Sequence, residues 1–136
     1  MDITSAQEYL RHNHHAVLST FRADGRPQLS PVTAAVDGEG RVIISTRETA
    51  VKVGNLRRDP RVSMAAISDG FYGEWVQVEG TAEIISLPEA LDLLVDYYRR
   101  AAGEHPDWDE YRAAMVEQQR VIVRFAVERA GPNVSG

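Results

Sequence analysis

At 136 residues the chain has room for one core and one site, so residues 1–136 are expected to form a single domain with no second catalytic unit. Hydrophobic residues make up 43% and charged residues 26%, an ordinary globular mixture in which no apolar run approaches the roughly 18–20 residues of a membrane helix. The net charge of −5 argues against a nucleic-acid partner. The lack of cysteine excludes thiol catalysis and cysteine-held metals, and with no export signal at Met1–Ser5 a cytoplasmic protein is expected.

Ser5 and Glu8 have the spacing of a capping box, which predicts a short helix carrying Tyr9 and Leu10 and ending near the histidines at 12–15. A strand from His15 to Phe21 and a turn from Arg22 to Pro27 follow. Strands Gln28–Val36 and Arg41–Thr46 are joined through Asp37-Gly38-Glu39-Gly40, a hairpin composition. Thr49 is placed to cap a helix from Ala50 to Arg58, which Asp59-Pro60 stops. Arg61–Ile67 and Glu74–Ile85 read as strands, the second alternating Trp75, Gln77 and Glu79 against Val76 and Val78.

Pro88 marks a first helical turn, after which Ala90, Leu91, Leu94, Val95 and Tyr98 recur at helical spacing up to Ala102. Asp107 caps a further helix with Trp108, Tyr111 and Met115. Arg120–Val127 makes a sixth strand, and the Gly/Pro/Ser tail is expected to fray. Six strands joined by short hairpins, with helices at the periphery, indicate a mainly β fold built on a small antiparallel barrel.

Charge is uneven along the chain. Arg47, Lys52, Arg57, Arg58 and Arg61 face only Glu48 and Asp59 between residues 47 and 61, and Lys52 is the one lysine beside 14 arginines. Basic charge gathered this tightly suits a compact anion. Ser45 and Thr46 end a strand just before a helix opens at Ala50, Val51 and Lys52, so hydroxyls, helix N–H groups and an ammonium all favour a phosphate; a capped helix with a solvated lysine is the bland alternative. His12, His14 and His15 lack nearby carboxylates and give no metal site. With no nucleophile, acid–base pair or metal in evidence, redox chemistry would come from a bound cofactor.

The segments Asp24–Val32, Arg41–Thr46, Lys52-x-x-Asn55-Leu56 through Ser63, and Val78–Ala82 resemble the pyridoxamine 5'-phosphate oxidase-like split barrels. Tyr98-Arg99, Gly103–Trp108 and Tyr111-Arg112 resemble the branch that uses the deazaflavin coenzyme F420, the flavin/deazaflavin oxidoreductases. The resemblance spans about residues 15–125 and implies a six-stranded antiparallel split barrel. It further implies a homodimer with cofactor at the interface and hydride transfer to a small electron-poor molecule, a conjugated enone or quinone-like compound. FMN in an oxidase or flavin reductase, or a non-catalytic cofactor carrier, are the alternatives. By the same resemblance Ser45, Thr46 and Lys52 hold the phosphate, while Gln28, Pro31, Val32 and Thr33 border the ring. Many relatives have arginine where this chain has Ala50, so one phosphate contact is missing or supplied elsewhere. Arg57 and Arg58 are nominated for the anionic polyglutamate tail of the deazaflavin, and Trp75 for cofactor binding by stacking on a planar ring, with core or dimer-interface packing as the alternative.

Overall fold

Alternating burial defines the strands in the computed structural model, which describes residues 1–132. Strand β1 (His15–Phe21) turns Ala16, Leu18 and Thr20 inward. Strands β2 (Pro27–Val36) and β3 (Val42–Arg47) follow, and β4 (Arg61–Ile67) repeats the pattern with Val62, Met64 and Ala66. Strand β5 (Trp75–Ile85) buries Val76 and Val78, as its alternation predicts, and β6 (Arg120–Phe125) buries Val121, Val123 and Phe125 on one face and Ile122, between two arginines, on the other. The sheet runs β4-β1-β2-β3-β6-β5 and closes on itself where β5 pairs with β4, giving the antiparallel barrel expected.

Two strands change partners. On one edge β2 lies along β1 from Pro27 to Thr33; on the other it meets β3 only at residues 34–36. Strand β5 does the same, following β4 to Thr81 and meeting β6 from Ala82 to Ile85. At the bend stands Gly80, where a Cβ would run into the Ala126 carbonyl and come within 2.7 Å of the Phe125 ring. A seventh strand, β7 (Arg129–Gly131), fills the edge of β5 at residues 77–79. Part of the tail expected to fray is therefore ordered, because an open strand edge offers it backbone partners; residues 133–136 of that tail lie outside the described residues.

Helices α1 (Ile3–His12) and α2 (Val51–Arg58) contribute Ala6, Leu10 and Leu56 to the barrel interior beside Leu18, Ile44, Met64 and Phe125. Helices α3 (Ala90–Ala102) and α4 (Trp108–Glu117) cover the outside of β3 and β6, packing Leu94, Tyr111 and Met115 on Ile43 and Ile122. Among the described residues no helix is long and apolar enough to cross a membrane.

Several local signals resolve differently from their sequence reading. Asp2, not Ser5, caps α1, accepting from the Ser5 amide at 2.7 Å, and Glu8 instead pairs with Arg11 and His12 on the helix surface. Helix α2 has Ala50 at its N-cap and no side-chain cap, because the turn from Arg47 to Ala50 leaves Thr49 exposed. Pro88 sits in the turn before α3 rather than in its first helical turn. Asp107 does cap α4, accepting from Glu110 N–H at 3.1 Å.

Candidate functional site: the slot between β2 and β3

The β2–β3 ladder stops at Ala34↔Ile44, although β2 continues back to Pro27 beside β1 and β3 continues to Arg47 beside β6. Antiparallel strands send the backbone groups of alternate residues to opposite sides. Ala34 N–H points to the His14 carbonyl on the β1 side, so Thr33, Pro31, Leu29 and Pro27 turn theirs toward the gap. Proline, lacking an N–H, is tolerated on such an edge. The rung that should follow Ala34 is made by a side chain: the Tyr97 hydroxyl donates to the Thr33 carbonyl at 2.7 Å and accepts from the Ser45 amide. Burial pushes the Tyr97 phenol above the ordinary tyrosine range, so it keeps the proton that this bond requires.

Helix α2 is clipped to the barrel beside this gap. Buried Asn55 donates to Thr20 Oγ1 at 3.1 Å, and Thr20 donates to Gln28 Oε1 at 3.4 Å, a chain from the helix through β1 to β2. The tight turn from Arg47 to Ala50 starts α2 directly beyond the end of β3, with no side-chain cap on its first N–H groups. Lys52 projects from the first turn of the helix. It is half-buried and forms no ion pair among the described residues, and burial, with the Arg120 guanidinium nearby, pushes its ammonium below the usual lysine range.

Of the residues expected from sequence, Pro31 and Thr33 turn their backbone to the gap, Ser45 and Thr46 stand near the end of β3, and Ala50, Val51 and Lys52 follow at the start of α2, whereas Gln28 and Val32 turn theirs to β1, with Gln28 bonded to Thr20 and Val32 packed on the barrel core. Strand periodicity divides the two hydroxyls. Thr46 is buried toward the barrel interior, while Ser45 shares the outer face with Ile43 and Arg47. Neither hydroxyl has a hydrogen-bond partner among the described residues. Arg57 is committed elsewhere, to Glu48 at 2.6 Å and Ser86 at 3.4 Å, whereas Arg58 bonds the Asn55 side chain and the Phe21 carbonyl and lies within electrostatic reach of Asp59. Trp75 stands on β5, separated from β2 by β4 and β1.

The histidines take separate partners: Glu8 for His12, the Ala34 carbonyl for His14, Asp69 for His15. His105 sits in an aromatic cluster with Tyr98, Trp108 and Tyr111 that joins α3 to α4, its Nδ1 accepting from the Asp107 amide at 2.9 Å. Sequence reasoning missed Tyr97 and Arg120. Tyr97 falls outside the stripe of Ala90, Leu91, Leu94, Val95 and Tyr98, and Arg120 carries no signal beyond opening the sixth strand; its place opposite Arg47 is set by the β3–β6 register.

Comparison with known proteins bears on the fold. The conserved hypothetical protein Rv2991 from Mycobacterium tuberculosis superposes with a TM-score of 0.78 at 29% identity, covering 100% of this chain and 92% of that one. A protein described as an F420 reductase gives 0.71 at 23% identity, covering 92% and 94%. The heme storage protein HutZ from Vibrio cholerae gives 0.68 at 17% identity, covering 96% and 94%. The family model described as pyridoxamine 5'-phosphate oxidase matches residues 4–132, and the chain belongs to that family.

Proposed function

We propose that the chain is an F420-dependent oxidoreductase acting on an electron-poor organic molecule such as a conjugated enone or quinone-like compound, with the cofactor's phosphate arm at the mouth of the β2–β3 slot. The observation that carries this reading is a donor set with no competing acid: Lys52, the unpartnered Ser45 hydroxyl and the uncapped N–H groups of α2 fit a phosphate. When bound, the reduced deazaflavin supplies the hydride. The chain's part is to bind and orient it. The Leu29 and Thr33 N–H groups and the Pro31 carbonyl along the open β2 edge offer backbone contacts to a flat ring, and Tyr97 fixes the spacing of the two strands.

Family membership supports a flavin-type cofactor in general. The choice of deazaflavin over FMN is supported by the likeness to the F420 reductase and by Arg58, which forms no ion pair among the described residues and suits a polyglutamate tail. Affinity is expected to rise with tail length and fall with salt, since exposed pairs are screened over about 8–10 Å at physiological ionic strength. Arg58→Gln should remove the dependence on tail length and leave FMN binding within about threefold. Titration of both cofactors at two salt concentrations checks this. FMN binding as tightly as the deazaflavin, with tail length irrelevant, refutes the deazaflavin reading in favour of a flavin protein.

The same reading makes the protein a homodimer whose partner completes the site. The outer face of β2, β1 and β4 leaves apolar surface open: Leu29 is 63% exposed, and Val17, Pro31, Ile67 and Phe71 line a cleft of about 480 Å³. Pro31 belongs both to this face and to the slot edge, so a second copy seated here reaches the cofactor. Sedimentation at micromolar concentration should give a dimer that Leu29→Lys weakens. A monomer that binds cofactor tightly refutes the shared site.

A further inference from the structure

Three cations meet at the slot mouth with no carboxylate among them. Arg47 and Arg120 lie opposite each other across the β3–β6 ladder, on the face that carries Ser45 and Ile122, and Lys52 approaches from the first turn of α2. None of the three forms an ion pair among the described residues. Arg120 gives its Nε–H to Gln118 Oε1 at 2.9 Å, leaving the rest of the guanidinium unused. The adjacent acid, Glu48, is drawn off by Arg57 and by Ser86, whose hydroxyl donates to it at 3.1 Å.

The backbone fixes this meeting. Gln119 adopts a left-handed φ of 54°, which few non-glycine residues do, and its carbonyl accepts from the Glu48 amide at 2.8 Å. The turn leaving α4 is thereby fastened to the turn entering α2, and Arg120 comes within electrostatic reach of Lys52, adding to the effect of burial on the lysine. Like charges held together oppose their own ionisation, and an anion between them removes that cost.

We propose that Arg120 and Lys52 form a two-cation clamp for the cofactor's phosphate, with Arg120 supplying from β6 the guanidinium that Ala50 does not. The clamp rests on the phosphate placement argued above but not on the choice of deazaflavin. Arg47, more exposed, stands at its rim.

Lys52 is the one lysine of the chain, so lysine labelled with carbon-13 at Cε gives a single side-chain signal whose titration reads this ammonium. Inorganic phosphate or FMN should raise the Lys52 pKa in the wild-type protein by roughly a unit, and riboflavin should not. In Arg120→Gln the Lys52 pKa of the free protein should rise, while the preference for FMN over riboflavin falls about 10- to 100-fold. Arg120→Lys should restore part of that preference. The clamp is overturned if FMN binds without moving the Lys52 signal, or if Arg120→Gln keeps the full preference for FMN. Should Arg120→Gln fail to fold, the wild-type titration alone decides. A protein that binds FMN and F420 equally while showing the Lys52 shift refutes the deazaflavin reading and leaves the clamp standing.

Discussion

Lys52→Ala is expected to weaken binding of FMN or the deazaflavin by about 10- to 100-fold while changing riboflavin affinity little, because a charge-assisted contact to phosphate contributes about 1.5–3 kcal/mol. The upper part of that range is the more apt, since the ammonium is already half-buried in the free protein and part of its desolvation has been met in folding. The pH dependence has a definite sign. Burial and Arg120 lower the Lys52 pKa, so the free protein releases that proton earlier in the alkaline range than an ordinary lysine, and the phosphate complex holds it more tightly. Phosphate-dependent affinity should be full at neutral pH and fall as pH rises through the Lys52 pKa. Parallel calorimetric titrations of FMN and riboflavin check both statements, and equal losses for the two ligands in Lys52→Ala would contradict the phosphate assignment.

Gly80→Ala should be the most damaging small change to the barrel. The added methyl would meet the Ala126 carbonyl, a backbone atom, and the buried Phe125 ring, neither of which yields as a flexible side chain would. Overpacking of this kind costs about 1–3 kcal/mol, and a clash with backbone belongs at the upper end. Chemical denaturation should show a lower midpoint at unchanged slope, the slope reporting the surface exposed on unfolding. An unchanged midpoint would mean that β5 can bend at 80 without the close approach to β6.

How much of this was legible in the sequence depended on how local the cause was. Strands β1 and β4 fell where alternation placed them because one face of each is buried by the barrel. The caps at Asp2 and Ala50 were misread because a capping motif specifies a hydrogen bond only if the preceding turn presents it, and the Arg47–Ala50 turn does not present Thr49. Strand β7 was invisible because three residues carry no pattern; the vacancy on β5 draws them in. At the site, Ser45, Lys52 and the β2 residues were readable as a phosphate motif and a strand. Tyr97 was not, since its role exists only where α3 docks between two strands that lie 52 and 64 residues earlier in the chain.

Pro27 and Pro31 lie on the edge of β2 that faces the slot, and the register of the β2–β3 ladder, continued past Thr33 and Ser45, would set Pro31 opposite Arg47, the last residue of β3. The missing donor opposes closure. Closing it would set the Arg47 carbonyl opposite a nitrogen that cannot donate, so that rung of the ladder would lack its hydrogen bond. In the empty protein a zipped state, from which a ligand would have to pry the strands apart, is therefore disfavoured. Affinity need not be reduced by the population of a closed form, and association should follow a single encounter step whose rate scales with ligand concentration, without a preceding isomerisation.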